Sequence, residues 1–102
     1  ANHSGTGNSP YIGVATYPDG AGLFGHQDLG GSMGEWVLDY HAAELCSGGV
    51  ETCSDHANLG FSSNRVLRGG NWLTGYTALR TTYRDPQTPS NRSYLVGIRC
   101  AR

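Results

Sequence analysis

The segment Asp28-Leu29-Gly30-Gly31-Ser32-Met33-Gly34-Glu35 sets a carboxylate at each end of a short, glycine-rich loop. Calcium takes roughly six to eight hard oxygens from carboxylates, backbone carbonyls and water. Asp28 and Glu35 supply the carboxylates. The glycines between them let carbonyls turn inward, because glycine reaches strained backbone angles at low cost. The same residues also read as a turn whose carboxylates cap backbone amides.

His41, Cys46, Cys53 and His56 form a second donor set. Two His and two Cys can hold zinc tetrahedrally, but this spacing is not a familiar finger. Cys46 and Cys53, close together in a polar loop, read first as a local disulfide, which points to an oxidising compartment. Cys100 is then left over, and its plain reading is a free, buried thiol. Arg80 and Arg84 could clamp a carboxylate or sulfate, although arginines so placed more often tie loops to backbone carbonyls or to Asp39 and Asp85. Asp39 and His41 share a face only on a strand. No nucleophile can be assigned beside them, so core hydrogen bonding is the better account of that pair.

The elements that must position these groups are short. The chain has 102 residues, enough for one domain. Its 16 glycines exceed an average near 7%, and each one ordered on folding costs extra backbone entropy. Net charge is −1 with 15% charged residues and no basic stripe, which argues against a nucleic-acid partner. No apolar run approaches the ~20 residues of a membrane helix. The chain opens on Ala1 without a leader pattern and reads as processed, trimmed or excised. Residues 1–10 read as loop. Strands are expected at 11–17, at the start of 35–45 with a helical turn at its end, at 65–67, at 79–83, and most strongly at 94–100. Residues 85–93 read as a turn-rich surface loop. Trp36, Trp72 and Tyr83 read as core aromatics, and Tyr76 and Tyr94 as exposed ones. The sum is a loop-rich α+β chain with short, mostly antiparallel strands.

Three stretches together carry a family resemblance: Gly34-Glu35-Trp36, Arg65-Val66-Leu67-Arg68-Gly69-Gly70-Asn71-Trp72, and the tail Gly97-Ile98-Arg99-Cys100-Ala101-Arg102. The chain resembles the C-terminal part of a formylglycine-generating (sulfatase-modifying factor) domain. The resemblance implies a variant C-type-lectin-like fold, with 1–102 forming either a single domain or the C-terminal portion of a larger one. It implies calcium held by Asp28, the carbonyls of Gly31 and Met33, and Glu35, although Ser32 and Gly34 replace the family's usual Asn and first Trp. It suggests a second ion site at Asn2, the carbonyl of His3, and Asn8. It also implies that Cys100 could bond to an N-terminal portion of the same domain.

The oxidase members carry two thiols shortly after the Gly-Gly-x-aromatic turn, and those places fall on about Thr74 and Leu79. Soft thiolate sulfur suits Cu(I); a hydroxyl and an alkyl group do not, so no copper is expected and formylglycine formation is disfavoured. The expectation is a secreted, periplasmic or cell-surface scaffold, calcium-stabilised, presenting residues 73–79 and 87–95 to a protein, peptide or glycan. Trp72, Thr74, Tyr76, Arg80, Arg84 and Tyr94 are its candidate contacts. Two alternatives stand beside it. One is the C-terminal part of a metal-dependent oxidase completed by an N-terminal portion. The other is a retroelement-diversified ligand-binding protein of the same fold.

Overall fold

A computed structural model describes residues 1–7, 12–43 and 57–100. Its frame is a four-stranded sheet: β1 (Gly34–Tyr40), β2 (Arg65–Arg68), β3 (Asp85–Gln87) and β4 (Val96–Gly97), in the order β3-β2-β1-β4. β2 pairs antiparallel with both β1 and β3, and β4 runs parallel to β1. The strand content is short and mostly antiparallel, as the sequence suggests.

β2 is an inner strand, and its adjacent residues Val66 and Leu67 are 1% and 5% exposed. Successive strand residues point to opposite faces, so β2 is covered on both. Ala78 completes the fully buried apolar set among the described residues. It sits in a 3₁₀ turn, Tyr76–Leu79. A strand was expected over 79–83; instead Ala78 N donates to Gly75 O at 3.0 Å and Tyr83 N to Arg80 O at 3.0 Å, closing turns. Burying Ala78 against the Gly70 backbone outweighs the β-propensity of the threonines and tyrosine that follow.

Three other expectations shift. Residues 12–17 form turns rather than a strand, with Ala15 at φ 59, while Tyr11 lies outside the described residues. β3 falls inside the expected loop 85–93. Pro86 pairs with Val66 there, and proline is tolerated because β3 is an edge strand. The strongest expected strand, 94–100, shrinks to Val96–Gly97. The expected helical end of 35–45 reaches residues outside the described ones.

The N-terminal residues, expected as plain loop, enter the core. Asn2 is 1% exposed and bridges Gly31. Ser32 N donates to Asn2 O at 2.8 Å, and Ser4 N to Thr74 O at 3.0 Å. Gly31 has φ +78, and a Cβ built on it would overlap the Asn2 backbone. Among the described residues no helix is long and apolar enough to cross a membrane.

Gly31→Ala is therefore expected to cost ~2–4 kcal/mol, summing positive-φ strain and overpacking. Urea denaturation reads it directly. An unchanged midpoint would mean that Asn2 does not rest on this loop.

Candidate functional site

Asp28, Gly31, Met33 and Glu35 do come together. They line one cleft of about 310 Å³, along with Ile12, Gly13, Val14, Ser32 and Arg99. β1 supplies Glu35, the loop before it supplies residues 28–33, residues 12–14 come from an earlier turn, and Arg99 comes from the segment after β4. Asp28 adopts φ 56, and its Oδ2 accepts from Ala15 N at 2.8 Å. This is the amide-capping role that the same residues also suggest.

Arg99 is the residue that sequence reasoning left out of the site. Its Nε lies 3.0 Å from both Glu35 carboxylate oxygens, and its Nη2 lies 2.6 Å from Oε1. Nη1 donates to Gln27 O and Nη2 to Asp28 O, each at 3.0 Å. One planar guanidinium thus joins the C-terminal segment, the carboxylate of β1 and two loop carbonyls, a fork that lysine cannot reproduce. The hydrogen bonds that Arg99 donates to Glu35 raise its pKa; desolvation opposes this, and the charges of Glu35 and Asp28 add to the rise. A raised cation pKa means that the stabilisation is complete below the ordinary arginine range and is lost only as pH climbs past it. The signal available in the sequence was a lone arginine in the apolar Gly97-Ile98-Arg99 tail, facing no assigned partner.

The Gly-Gly turn forms the second half of the region. Asn71 Oδ1 accepts from Leu73 N at 3.0 Å and Thr74 N at 3.1 Å. Thr74 Oγ1 accepts from Asn71 N at 2.8 Å and donates to Asn71 O at 2.9 Å. The Thr74 hydroxyl is thus satisfied within its own turn, beside Gly70 at φ +65. Leu79 is half-buried. Trp72 is half-buried, with its ring 6.3 Å from that of Tyr94 at 31°. Tyr76 and Tyr94 are 68% and 64% exposed, and Leu73 is 50% exposed. Tyr83, read as core, is 39% exposed.

Arg84 Nη1 donates to Ala42 O at 3.0 Å, and Arg80 is exposed. Arg68 donates to Tyr83 O at 3.0 Å and to Thr81 O, pinning the segment that carries Arg80. Asp39 Oδ1 accepts from Asn58 N at 2.9 Å, a structural tie. His3 caps the Ser4–Thr6 turn, with Nδ1 accepting from Gly5 N at 3.0 Å. Asn8, Cys46, Cys53 and His56 lie outside the described residues. Cys100, read as a buried thiol or as bonded to an N-terminal portion of a larger domain, is exposed, and no described cysteine pairs with it. Among the described residues no three His, Cys, Asp or Glu side chains converge on a metal position.

The short mixed sheet with long ordered loops is an α+β, C-type-lectin-like fold. The structure of Treponema denticola variable protein 1 superposes on 94% of this chain and 33% of its own, with a TM-score of 0.77 at 23% identity. The chain belongs to the family of the sulfatase-modifying factor enzyme 1-like domain, whose profile matches residues 4–102. It is 31% identical over 91 residues to a serine/threonine-protein kinase pkn1 of Chlamydia caviae, covering 87% of this chain and 14% of the kinase. It is 30% identical over 90 residues to hercynine oxygenase of Mycobacterium tuberculosis, covering 86% of this chain and 21% of that enzyme. The chain thus spans no more than about a fifth of these two relatives.

Replacing Arg99 tests the cleft. Arg99→Ala should lower stability by about 1–2 kcal/mol, less than the ~3–5 kcal/mol of a fully buried pair. The reason is that the two side chains keep 33% and 25% exposure and are partly screened. Arg99→Lys should recover only part of the loss. A lysine variant matching the parent in urea would reduce the cross-link to plain charge.

Proposed function

We propose that this chain is a non-oxidase member of its family: an extracytoplasmic, calcium-stabilised scaffold that presents a loop surface to a protein, peptide or glycan. The observation that carries this reading is Thr74. By the family resemblance it stands at about one of the two places where the oxidase members carry a thiol, and its hydroxyl is spent on the Asn71 backbone. Leu79, at the other place, has no donor atom. Around this closed turn, Trp72, Leu73, Tyr76 and Tyr94 offer partly exposed aromatic and apolar surface on ordered backbone. Aromatic side chains with a polar tip suit recognition because they bring area at low entropy cost. Arg80 adds an exposed cation, and Arg84, a further candidate contact, donates to the Ala42 carbonyl.

Calcium would be held by the Asp28 and Glu35 carboxylates and the carbonyls of Gly31 and Met33. Their convergence on one cleft supports this. The ion would have to share Glu35 with Arg99. Asn2, His3 and Asn8 remain a further proposed site at the N-terminal loop.

The identity to hercynine oxygenase supports a second reading, in which the chain is the C-terminal part of a metal-dependent oxidase completed by another portion of a longer protein. The two readings separate on one assay, run on the full-length protein that contains this chain. Purified protein supplied with copper, oxygen and a cysteine-containing peptide is expected to form no aldehyde. Aldehyde at a steady turnover would overturn the scaffold reading.

Calcium added to chelator-treated protein is expected to raise the melting temperature. At about 100 times Kd the gain corresponds to ~2.7 kcal/mol. Arg99→Gln should bind the ion more tightly, because a neighbouring positive charge is gone. A melting temperature indifferent to calcium in both proteins would reject the ion.

A further inference from the structure

A second groove shares none of its lining with the cleft or with loop 73–79. Trp36, Val37, Arg65 and Pro89 surround about 290 Å³. It lies beside an irregularity in the sheet. Trp36 pairs with Leu67 and Tyr40 with Arg65, so β1 takes more residues than β2 to cover the same stretch. Such a bulge bends the strand and re-aims its side chains.

Arg65 is held firmly at this groove. Its guanidinium lies 3.8 Å from the Tyr40 ring centroid, and Nη1 donates to Leu38 O. Tyr40 is backed in turn by Phe61, at 5.6 Å between centroids. These contacts occupy one guanidinium face and one nitrogen, while an arginine carries five N–H donors. No carboxylate answers its charge among the described residues. Glu35 is taken by Arg99, Asp39 by Asn58 N, and Asp85 by Gln87 Nε2.

We infer that this groove binds a carboxylate carried on a flat apolar body. The remaining nitrogens of Arg65 suit planar carboxylate recognition. The indole of Trp36, with Val37 and Pro89, supplies an apolar wall for a ring. The volume lies at the lower end of small-molecule pockets, enough for one ring and one acid group. A free aromatic acid and the C-terminal aromatic residue of a peptide share this chemistry.

The test uses the whole chain labelled with nitrogen-15. Its two tryptophans give two indole N–H signals, assigned with Trp72→Phe. N-acetylphenylalanine should shift the Trp36 signal and leave that of Trp72 in place, while the corresponding amide should shift neither. Arg65→Gln should weaken binding by about tenfold or more. Because that change could loosen the β1–β2 pairing, Pro89→Asp serves as a second variant. It sits on an exposed loop, offers Arg65 an internal carboxylate, and should weaken binding with the rest of the spectrum unmoved. A glycyl-phenylalanine dipeptide that binds more tightly than the free acid identifies a peptide terminus as the source, and equal binding identifies a small acid. A Trp36 signal unmoved at ~10 mM acid, an equal response to the amide, or undiminished binding in both variants would overturn the inference.

Discussion

Arg99 holds together parts of the chain that hydrophobic burial does not reach. The fully buried apolar set among the described residues is Val66, Leu67 and Ala78. A buried valine or leucine contributes only about 1.5–3 kcal/mol, and ordering so many loop residues costs ~1–2 kcal/mol each in backbone entropy. Polar cross-links must therefore tie the long loops to the sheet. The guanidinium of Arg99 does so at one point, joining Glu35 on β1 to the carbonyls of Gln27 and Asp28 and to its own segment beyond β4. It meets carbonyl and carboxylate oxygens in the cleft proposed for calcium, so the guanidinium already answers part of the electrostatic demand that a metal cation would meet there.

The turn after β2 follows a related logic. Gly69 and Gly70 both take positive φ, and the turn is closed by Asn71 and Thr74 satisfying each other's backbone. A thiol is a weak hydrogen-bonding group and would close the turn less well than a hydroxyl. Threonine's hydroxyl thus serves the order of this turn. The exposed Leu73 and Tyr76 are carried on that closed turn. This is how a fold rich in loops can still present a defined surface.

Legibility in the sequence tracked the range of the forces involved. β2 was plain because Arg-Val-Leu-Arg ends on a glycine pair, a local signal. β3 was missed because Asp-Pro reads as a turn, and only its place at the sheet edge makes proline tolerable. Residues 79–83 carried β-forming side chains, but Ala78 buried against Gly70 set a 3₁₀ turn ahead of them. Asp28 and Glu35 were found from their spacing. Their partner Arg99 lies 64 residues from Glu35, and no local pattern links them. The burial of Asn2 was equally hidden, since a polar residue in a glycine-rich stretch looks solvated until a distant loop covers it.

By itself the sequence determined the inventory: which carboxylates flank a glycine loop, which positions lack sulfur, where the backbone can turn, and hence the fold class and family. Only the tertiary structure decided the pairings. It set Arg99 against Glu35, Asn2 against Gly31, Arg84 against Ala42, and Arg65 over Tyr40 beside a groove at the sheet's irregularity. The physical reason is that turn formation and side-chain chemistry depend on neighbours along the chain. The partner of a charge or a buried amide is set by which distant backbone arrives within about 3 Å of it.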